Sequence, residues 1–119
     1  MAKKKKQTLK TFLTGKLRSA SLLWHARDEV FKRIRTSRGI YECEICEGHF
    51  KKNMIDIDHK NPIVNVELGF IDWNNYIENL FCDADDLQGI CKTCHSIKTE
   101  QEKEMRTFYK RKKKGDHDE

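Results

Sequence analysis

The chain has 119 residues, enough for one ordinary domain, and 37% of them are hydrophobic against 36% charged. This composition excludes a large apolar core and a long bilayer-spanning segment, and a domain of this size often depends on a metal ion or a disulfide for stability. The net charge of +5 is unevenly distributed. Residues 1–38 carry 12 Lys or Arg against two Asp or Glu, residues 39–100 carry five against 12, and residues 101–119 carry seven against five.

This charge distribution allows two interpretations. Basic arms can bind a polyanion while the central acids hold a cation, or both can be solvated surfaces of an ordinary acidic domain. The lysines near the N-terminus are not followed by a hydrophobic stretch, so we expect no export signal, no membrane association and a cytoplasmic protein. In that reducing compartment, clustered cysteines are better explained as metal ligands than as disulfides.

Residues 8–38 are predicted to form one or two α-helices with one buried face. Apolar residues recur at helical spacing from Leu9 to Ile34, and a break is expected near residues 14–15 or 19–21. The opposite face is basic and could contact phosphates, although a solvated helix face is the more common explanation. The candidate phosphate contacts in this region are Arg27, Arg33, Arg35 and Arg38.

The acidic centre is predicted to begin with a cysteine-containing turn and to continue into one short strand. The sequence IYECEICEGHF holds a CxxC turn between Tyr41 and Phe50. Isoleucine and aspartate then alternate over residues 55–59, which predicts a short strand that Pro62 ends.

Helices and a further short strand are predicted in the rest of the chain. Residues 69–82 carry apolar side chains at helical spacing, and we expect them to pack in the core. Residues 86–91, DLQGIC, are predicted to form a brief strand or turn. A helix should then begin near Thr93 and continue into the lysine-rich end of the chain.

Two CxxC pairs, Cys43/Cys46 and Cys91/Cys94, are separated by 44 residues. Two thiolates three positions apart on a tight turn can reach one ion, and two such pairs complete a tetrahedral zinc site. Two alternatives to a zinc site exist. One is a redox-active CxxC, which normally occurs as a single pair, and the other is an iron–sulfur cluster, which can also use four cysteines. We predict structural zinc, because four protein ligands leave no position for water or substrate. Cys82 has no partner and is interpreted as a small buried hydrophobic residue.

If the two pairs share one ion, the strand that ends at His59 is brought near the helix that starts around Cys94. That helix presents His95, so Asp58 and His95 should face a common point suited to a second, open divalent-metal site. Adjacent strand residues point to opposite faces, so Asp58 and His59 are expected to have different roles. One can bind metal while the other acts on a nucleophile, a division that phosphodiester hydrolysis requires.

Three motifs, YECEIC, IDIDHKNPIV and DLQGICKTCHSIKT, together resemble the HNH endonucleases that have a zinc-knuckle frame. The resemblance covers residues 40–100 and includes both CxxC pairs, DHxxP and LQxxCxxCHxxKT in the same order. KLRSASLLWH, GFIDWNNYIENLF and the small size further resemble the stand-alone bacteriophage members. The resemblance implies an α+β fold with a ββα-metal (His-Me finger) core and four-cysteine zinc knuckle at residues 39–100. Helices would flank this core at residues 1–38 and 101–119.

The resemblance also implies a role for each motif residue. His59 would be the general base, Asp58 and His95 would bind the catalytic metal, and the four paired cysteines would bind structural zinc. The family's central asparagine corresponds to Asp86, which keeps the acceptors of an amide but lacks its donors. Some members have another histidine at the position of Thr99. Water and substrate oxygens are therefore expected to complete the site, which favours Mg²⁺ or Mn²⁺ among divalent ions.

The implied activity is metal-dependent nicking or cutting of DNA, with Lys98 as a further candidate phosphate contact. Some phage members act with the terminase that packages DNA, so the terminase large subunit is an implied partner, in the host cytoplasm. The sequence leaves the oligomeric state open. The alternative is a zinc-stabilised DNA-binding or adaptor protein without catalysis. A zinc transcription factor is less well supported, because no predicted helix has convincing base-reading residues.

Overall fold

The computed structural model describes residues 6–115, so residues 1–5 and 116–119 of the two predicted arms lie outside the described part. Within this range the chain forms a small α+β structure with four α-helices and two antiparallel sheets. The helices are α1 (Leu9–Ser21), α2 (His25–Ile34), α3 (Trp73–Leu80) and α4 (Lys92–Gly115). The strands are β1 (Arg35–Ser37), β2 (Ile40–Glu42), β3 (His49–Lys51), β4 (Ile55–His59) and β5 (Leu87–Cys91).

The N-terminal helical region differs from the prediction at two points. The break between α1 and α2 falls at residues 22–24, just beyond the predicted interval. The predicted helical region extended to residue 38, but the buried stripe of α2 ends at Ile34. Arg35 has an extended backbone (φ −66°, ψ 124°) and begins β1, which pairs with β2. The backbone groups of this segment are therefore satisfied by a strand rather than by another helical turn.

The core lies between α2 and the hairpin formed by β4 and β5. These strands pair antiparallel, with Ile55 opposite Cys91 and His59 opposite Leu87. α2 contributes one stripe of buried side chains at intervals of four residues, which is the spacing of a single helix face. The buried residues of this core are Ala26, Val30, Ile34, Cys43, Ile55, Leu87, Ile90 and Cys91.

The three-stranded sheet, in the order β1-β2-β3, carries the first CxxC turn. This turn connects β2 to β3, as the flanking Tyr41 and Phe50 indicated, and these two residues are register partners. Phe31 of α2 makes an edge-to-face contact with Tyr41, with 5.3 Å between ring centroids. The small sheet is thereby attached to the same helix that covers the hairpin.

Of the remaining helices, α1 packs against α3, and α4 packs against both β4 and β5. The side chain of Asp72 accepts a hydrogen bond from the backbone N–H of Asn75 and caps the start of α3. The indole of Trp24, between α1 and α2, donates to the carbonyl of Cys82 (2.8 Å). α4 follows β5 without an intervening loop. Among the described helices, none is both long and apolar enough to cross a membrane.

Gly89 allows the close approach of α2 to β5, and its replacement is expected to destabilise the fold. A Cβ atom at this position would lie 2.5 Å from Cδ1 of Ile34, a buried residue that has little space to move. We expect Gly89→Ala to lower the free energy of unfolding by about 1–3 kcal/mol in urea denaturation. Gly15→Ala is the control, because nothing lies within 4 Å of the added atom and the position is in α1. It should raise stability by up to about 1 kcal/mol. Equal effects of the two changes would contradict this explanation.

Candidate functional site

The four paired cysteines converge at one point of the structure. One pair lies in the turn after β2, and the other spans the end of β5 and the first turn of α4. Their Sγ atoms all lie within 4.8 Å of one another, and those of Cys46 and Cys91 are 3.9 Å apart. A tetrahedral site with Zn–S bonds of about 2.3 Å separates its sulfur atoms by about 3.8 Å. The cluster can therefore hold a metal ion such as zinc, as the sequence predicted.

The electrostatics of this cysteine cluster also fit a cation. The sulfur of buried Cys43 accepts backbone hydrogen bonds from Cys46 (3.5 Å) and Cys91 (3.3 Å). Burial raises the pKa of Cys43, but these N–H donors outweigh it and lower the pKa to about 6. Burial and the neighbouring sulfur atoms raise the pKa of Cys94 to about 12. Four thiolates at this point repel one another, so full deprotonation requires a positive ion among them.

Glu44 attaches the first cysteine turn to β5. Its backbone N–H donates to the carbonyl of Gly89, and its carboxylate accepts from the N–H of Gly89, both at 2.9 Å. The same carboxylate forms an ion pair with Arg33 at 2.7 Å. These bonds hold the turn beside β5, which brings the two cysteine pairs together.

A second group of predicted residues lines a cleft of about 360 Å³. Asp58, His59 and His95 all contribute to its wall. Nε2 of His95 lies 4.0 Å from Oδ1 of Asp58. Asp58 contacts α4, whereas His59 contacts the end of α3, so the two neighbours on β4 point to different elements. Asp58, His59 and His95 were expected to lie close together, and all three line this cleft.

Asp56 orients His95, a role that the sequence analysis missed. Its Oδ2 lies 2.9 Å from Nδ1 of His95, and Lys92 contacts its other oxygen. A carboxylate only accepts, so Nδ1 carries the hydrogen and a neutral ring has its lone pair on Nε2, the nitrogen nearer Asp58. Burial acts to raise the pKa of Asp56, but hydrogen bonds from Lys92 and His95 lower it. The available signal was the alternation in IDID, which places Asp56 and Asp58 on one face of β4.

Lys98 lies inside the cleft among three oxygen-bearing groups. Its ammonium donates to the carbonyl of His59 (2.8 Å) and to the carboxylate of Glu102. It is 2.7 Å from Oδ2 of Asp58, but not at a hydrogen-bonding angle. Within residues 6–115, this buried oxygen therefore has an ionic neighbour and no hydrogen-bond donor. Burial acts to lower the pKa of Lys98, but the two carboxylates raise it, so the side chain is charged.

His59 is only 8% exposed and is held by α3. Its Nε2 lies 2.9 Å from the carbonyl oxygen of Leu80. A carbonyl only accepts, so Nε2 carries the hydrogen and the neutral ring has its lone pair on Nδ1. The N–H of Lys60 donates to the backbone carbonyl of Asp86 (2.9 Å), which fixes the residue after His59. Asp86 itself lines a neighbouring cavity together with His59, not the cleft that contains Asp58 and His95.

The predicted phosphate contacts have different surroundings. Arg27 donates to the carbonyls of Ser21 (2.9 Å) and Ile57 (3.3 Å), and burial lowers its pKa. Arg33 donates to the carbonyls of Ala84 and Leu87, both at 2.9 Å. These two guanidinium groups connect α2 to the hairpin. Their binding to DNA stays a prediction.

The other predicted arginines lie on the surface. Arg35 and Arg38 are exposed at one edge of the small sheet, away from the residues that line the cleft. Instead, Arg18 of α1 and Arg106 of α4 line the cleft together with Arg27. The meeting of these three arginines could not be predicted, because they belong to three different helices. Thr99, the expected position of a further histidine, also lines the cleft.

The chain was compared with protein-family models, with curated proteins and with solved structures, and nothing matches it.

We expect the full chain to bind one zinc ion and to depend on it for stability. Chelation should lower Tm by more than about 10 °C, because it releases both cysteine turns at once. Cys43→Ser should lose most of the bound zinc, measured by elemental analysis, and show the same fall in Tm. Cys82→Ser is the matched control, because Cys82 lies outside the cluster. A Cys43→Ser variant with full zinc content and unchanged Tm would contradict the assignment.

Proposed function

We propose that this protein is a divalent-metal-dependent HNH endonuclease that hydrolyses phosphodiester bonds of DNA. The observation that carries the proposal is the single cleft lined by Asp58, His59 and His95. β4 and β5 pair and lead directly into α4, an arrangement that agrees with a ββα-metal core. The cysteine cluster would be its zinc knuckle.

The residues of the cleft fit a divalent cation. Oδ2 of Asp58 is buried, with the Lys98 ammonium 2.7 Å away, and Nε2 of His95 has its lone pair available. Nε2 of His95 lies 4.0 Å from the other carboxylate oxygen of Asp58, Oδ1. Asp58 and His95 would hold the ion, with Mg²⁺ or Mn²⁺ suited to this donor set. When bound, the ion stabilises negative charge on the phosphate and on the leaving oxygen.

His59 is suited to accept a proton from the attacking water. The Leu80 carbonyl keeps the hydrogen on Nε2, so Nδ1 is free to act as the base. The same carbonyl stabilises the imidazolium that forms. The bond from Lys60 to Asp86 limits movement of the histidine's backbone. Departure of the 3′ oxygen leaves a product with a 5′-phosphate.

Basic side chains around the cleft would attract the DNA backbone. Arg18, Arg27 and Arg106 line its wall, whereas exposed Arg35 and Arg38, at the edge of the small sheet, would offer separate contacts. Contacts of this kind are independent of base sequence and release counterions, so binding should weaken steeply as salt is raised.

A role beside a phage terminase large subunit is part of the proposal. It is supported by the two segments that resemble stand-alone phage HNH endonucleases, KLRSASLLWH and GFIDWNNYIENLF. In the fold these segments pack together: Nε of Arg18 donates to the hydroxyl of Tyr76 (3.3 Å), and α1 contacts α3.

The nuclease activity can be tested with supercoiled plasmid in the presence of Mg²⁺ or Mn²⁺. We expect nicking, and we expect His59→Ala to slow it by about 10²-fold or more, because the general base is lost. His49→Ala is the matched control, since His49 lies exposed on β3, and its rate should be unchanged. DNA binding by the unmodified chain without nicking would contradict the enzyme and favour the adaptor alternative.

The metal ligands can be tested without reference to activity. By calorimetry on zinc-loaded protein, Asp58→Asn should weaken Mn²⁺ binding at least about tenfold, because a charged ligand is lost. Lys98→Met should strengthen binding, because it removes the positive charge 2.7 Å from Oδ2 of Asp58. Asp85→Asn, on the exposed surface, is the control. Unchanged affinity in Asp58→Asn would exclude this residue as a ligand.

A further inference from the structure

One face of α4 extends from the cleft towards the far end of the helix. His95 and Lys113 are 18 residues apart in α4, which is about five turns, so both residues lie on this face. The distance between them along the helix axis is about 27 Å. Arg106 lies between them, within about 20° of the same direction around the helix.

A groove of about 270 Å³ continues the cleft along this face, and we call it the α4 groove. Val64 and Arg106 line both the cleft and the α4 groove, so the two depressions are continuous. The wall opposite α4 consists of residues 64–69. This segment is a compact turn, in which the side chain of Asn65 accepts a hydrogen bond from the backbone N–H of Glu67 (2.9 Å).

The α4 groove is positively charged. In the described part of the chain, three positive groups and one negative group line it: Arg106, Lys110 and Lys113 of α4, and Glu67 of the opposite wall. The basic residues follow one another at intervals of four and three residues, which places them in one row along the helix. All three belong to α4, so the row does not depend on the length of the opposite wall.

The other side of α4 has no such excess of positive charge. Two acidic and two basic residues line the shallow groove that α4 forms there by itself, and their charges offset one another. The residues that line it are Glu100, Lys103, Glu104, Thr107, Phe108 and Arg111. A polyanion is therefore attracted to the α4 groove and not to this second groove.

We propose that the α4 groove holds the phosphate backbone of duplex DNA where it leaves the cleft, with Lys110 and Lys113 as phosphate contacts. This proposal rests on the proposed function, because it takes the cleft as the place where the same DNA is cut. Each DNA strand carries one phosphate per about 3.4 Å of helix axis, so the 27 Å between His95 and Lys113 correspond to about eight base pairs. The bound DNA would extend that far to one side of the cleavage site.

An acidic polypeptide is the other occupant that a basic groove could hold. The continuity between the cleft and the α4 groove favours DNA over a polypeptide. A single DNA duplex can contact Arg18, Arg27 and Arg106 in the cleft and also reach Lys110 and Lys113 beyond it.

The proposal can be tested by the binding of a fluorescent duplex to the zinc-loaded full chain, followed by anisotropy. Mg²⁺ and Mn²⁺ are omitted so that no DNA is cut. The double variant Lys110→Gln/Lys113→Gln should reduce the slope of log K against log salt concentration by about two, because two phosphate contacts are lost. At about 0.1 M salt, its Kd for the duplex should rise at least about tenfold.

The matched control is the double variant Arg111→Gln/Lys112→Gln. It removes the same charge from neighbouring exposed positions of α4, and neither residue lines the α4 groove. Its salt slope should change less than half as much, and circular dichroism should show equal helix content in all three proteins. Equal changes in the two double variants would overturn the proposal, because net charge alone would then explain binding. An unchanged slope in Lys110→Gln/Lys113→Gln, or no DNA binding by the unmodified chain, would overturn it as well.

Competition separates DNA from an acidic polypeptide. Unlabelled duplex should displace the labelled DNA at least about tenfold better than polyglutamate of equal total charge, because the duplex carries one charge per about 1.7 Å and releases more counterions. Equal competition would assign the α4 groove to an acidic polypeptide and overturn the proposal. The outcome for the nuclease is separate: DNA binding through the groove without plasmid nicking refutes the enzyme alone, and nicking with an unchanged salt slope in Lys110→Gln/Lys113→Gln refutes the groove alone.

Discussion

The contact between the two cysteine pairs organises this fold. It joins Cys46 to Cys91, which are 45 residues apart in the chain. Cys43 and Cys91, two of the ten buried hydrophobic residues in the described part of the chain, belong to this cluster, so the core and the candidate zinc site share residues. A chain of this size can bury only a limited apolar surface. A bound ion would add the stability that larger proteins obtain from a larger hydrophobic core. The position of α4 over β4 follows from this contact.

The two aspartates of β4, Asp56 and Asp58, have different positively charged neighbours. Asp56 forms an ion pair with Lys92 and a hydrogen bond with His95, which fixes the orientation of the imidazole. Oδ2 of Asp58 has the Lys98 ammonium 2.7 Å away but, in the described part of the chain, no donor at a hydrogen-bonding angle. The neighbouring carboxylates therefore differ: one is fully satisfied, and the other retains an oxygen that can accept a further cation. This difference, rather than the presence of acids alone, makes the cleft suitable for an ion.

Local sequence signals predicted the elements that depend on local forces. Alternation gave the bounds of β4 as Ile55–His59, and the CxxC spacing gave the cysteine cluster. The strand at residues 35–37 was not predicted, because its hydrogen bonds come from a pairing with β2 rather than from its own composition. The hydrogen-bond partners of Arg27 and Arg33 could not be predicted from the sequence either. A basic helix face looks the same whether its side chains meet solvent or distant main-chain carbonyls. The roles of Asp58, His59 and His95 in chemistry stay a proposal.

Cys94 and His95 are consecutive residues of α4, so the helix fixes the direction of the His95 side chain in the cleft relative to the sulfur cluster. Inserting one residue between them would rotate the imidazole by about 100° and carry it off the face that meets β4. The long connection between β4 and α3 has no such constraint, because doubling the length of a flexible loop costs only about 0.6 kcal/mol in closure entropy. In natural variants of this chain, insertions and deletions should therefore occur around residues 64–69 and not between Cys94 and His95.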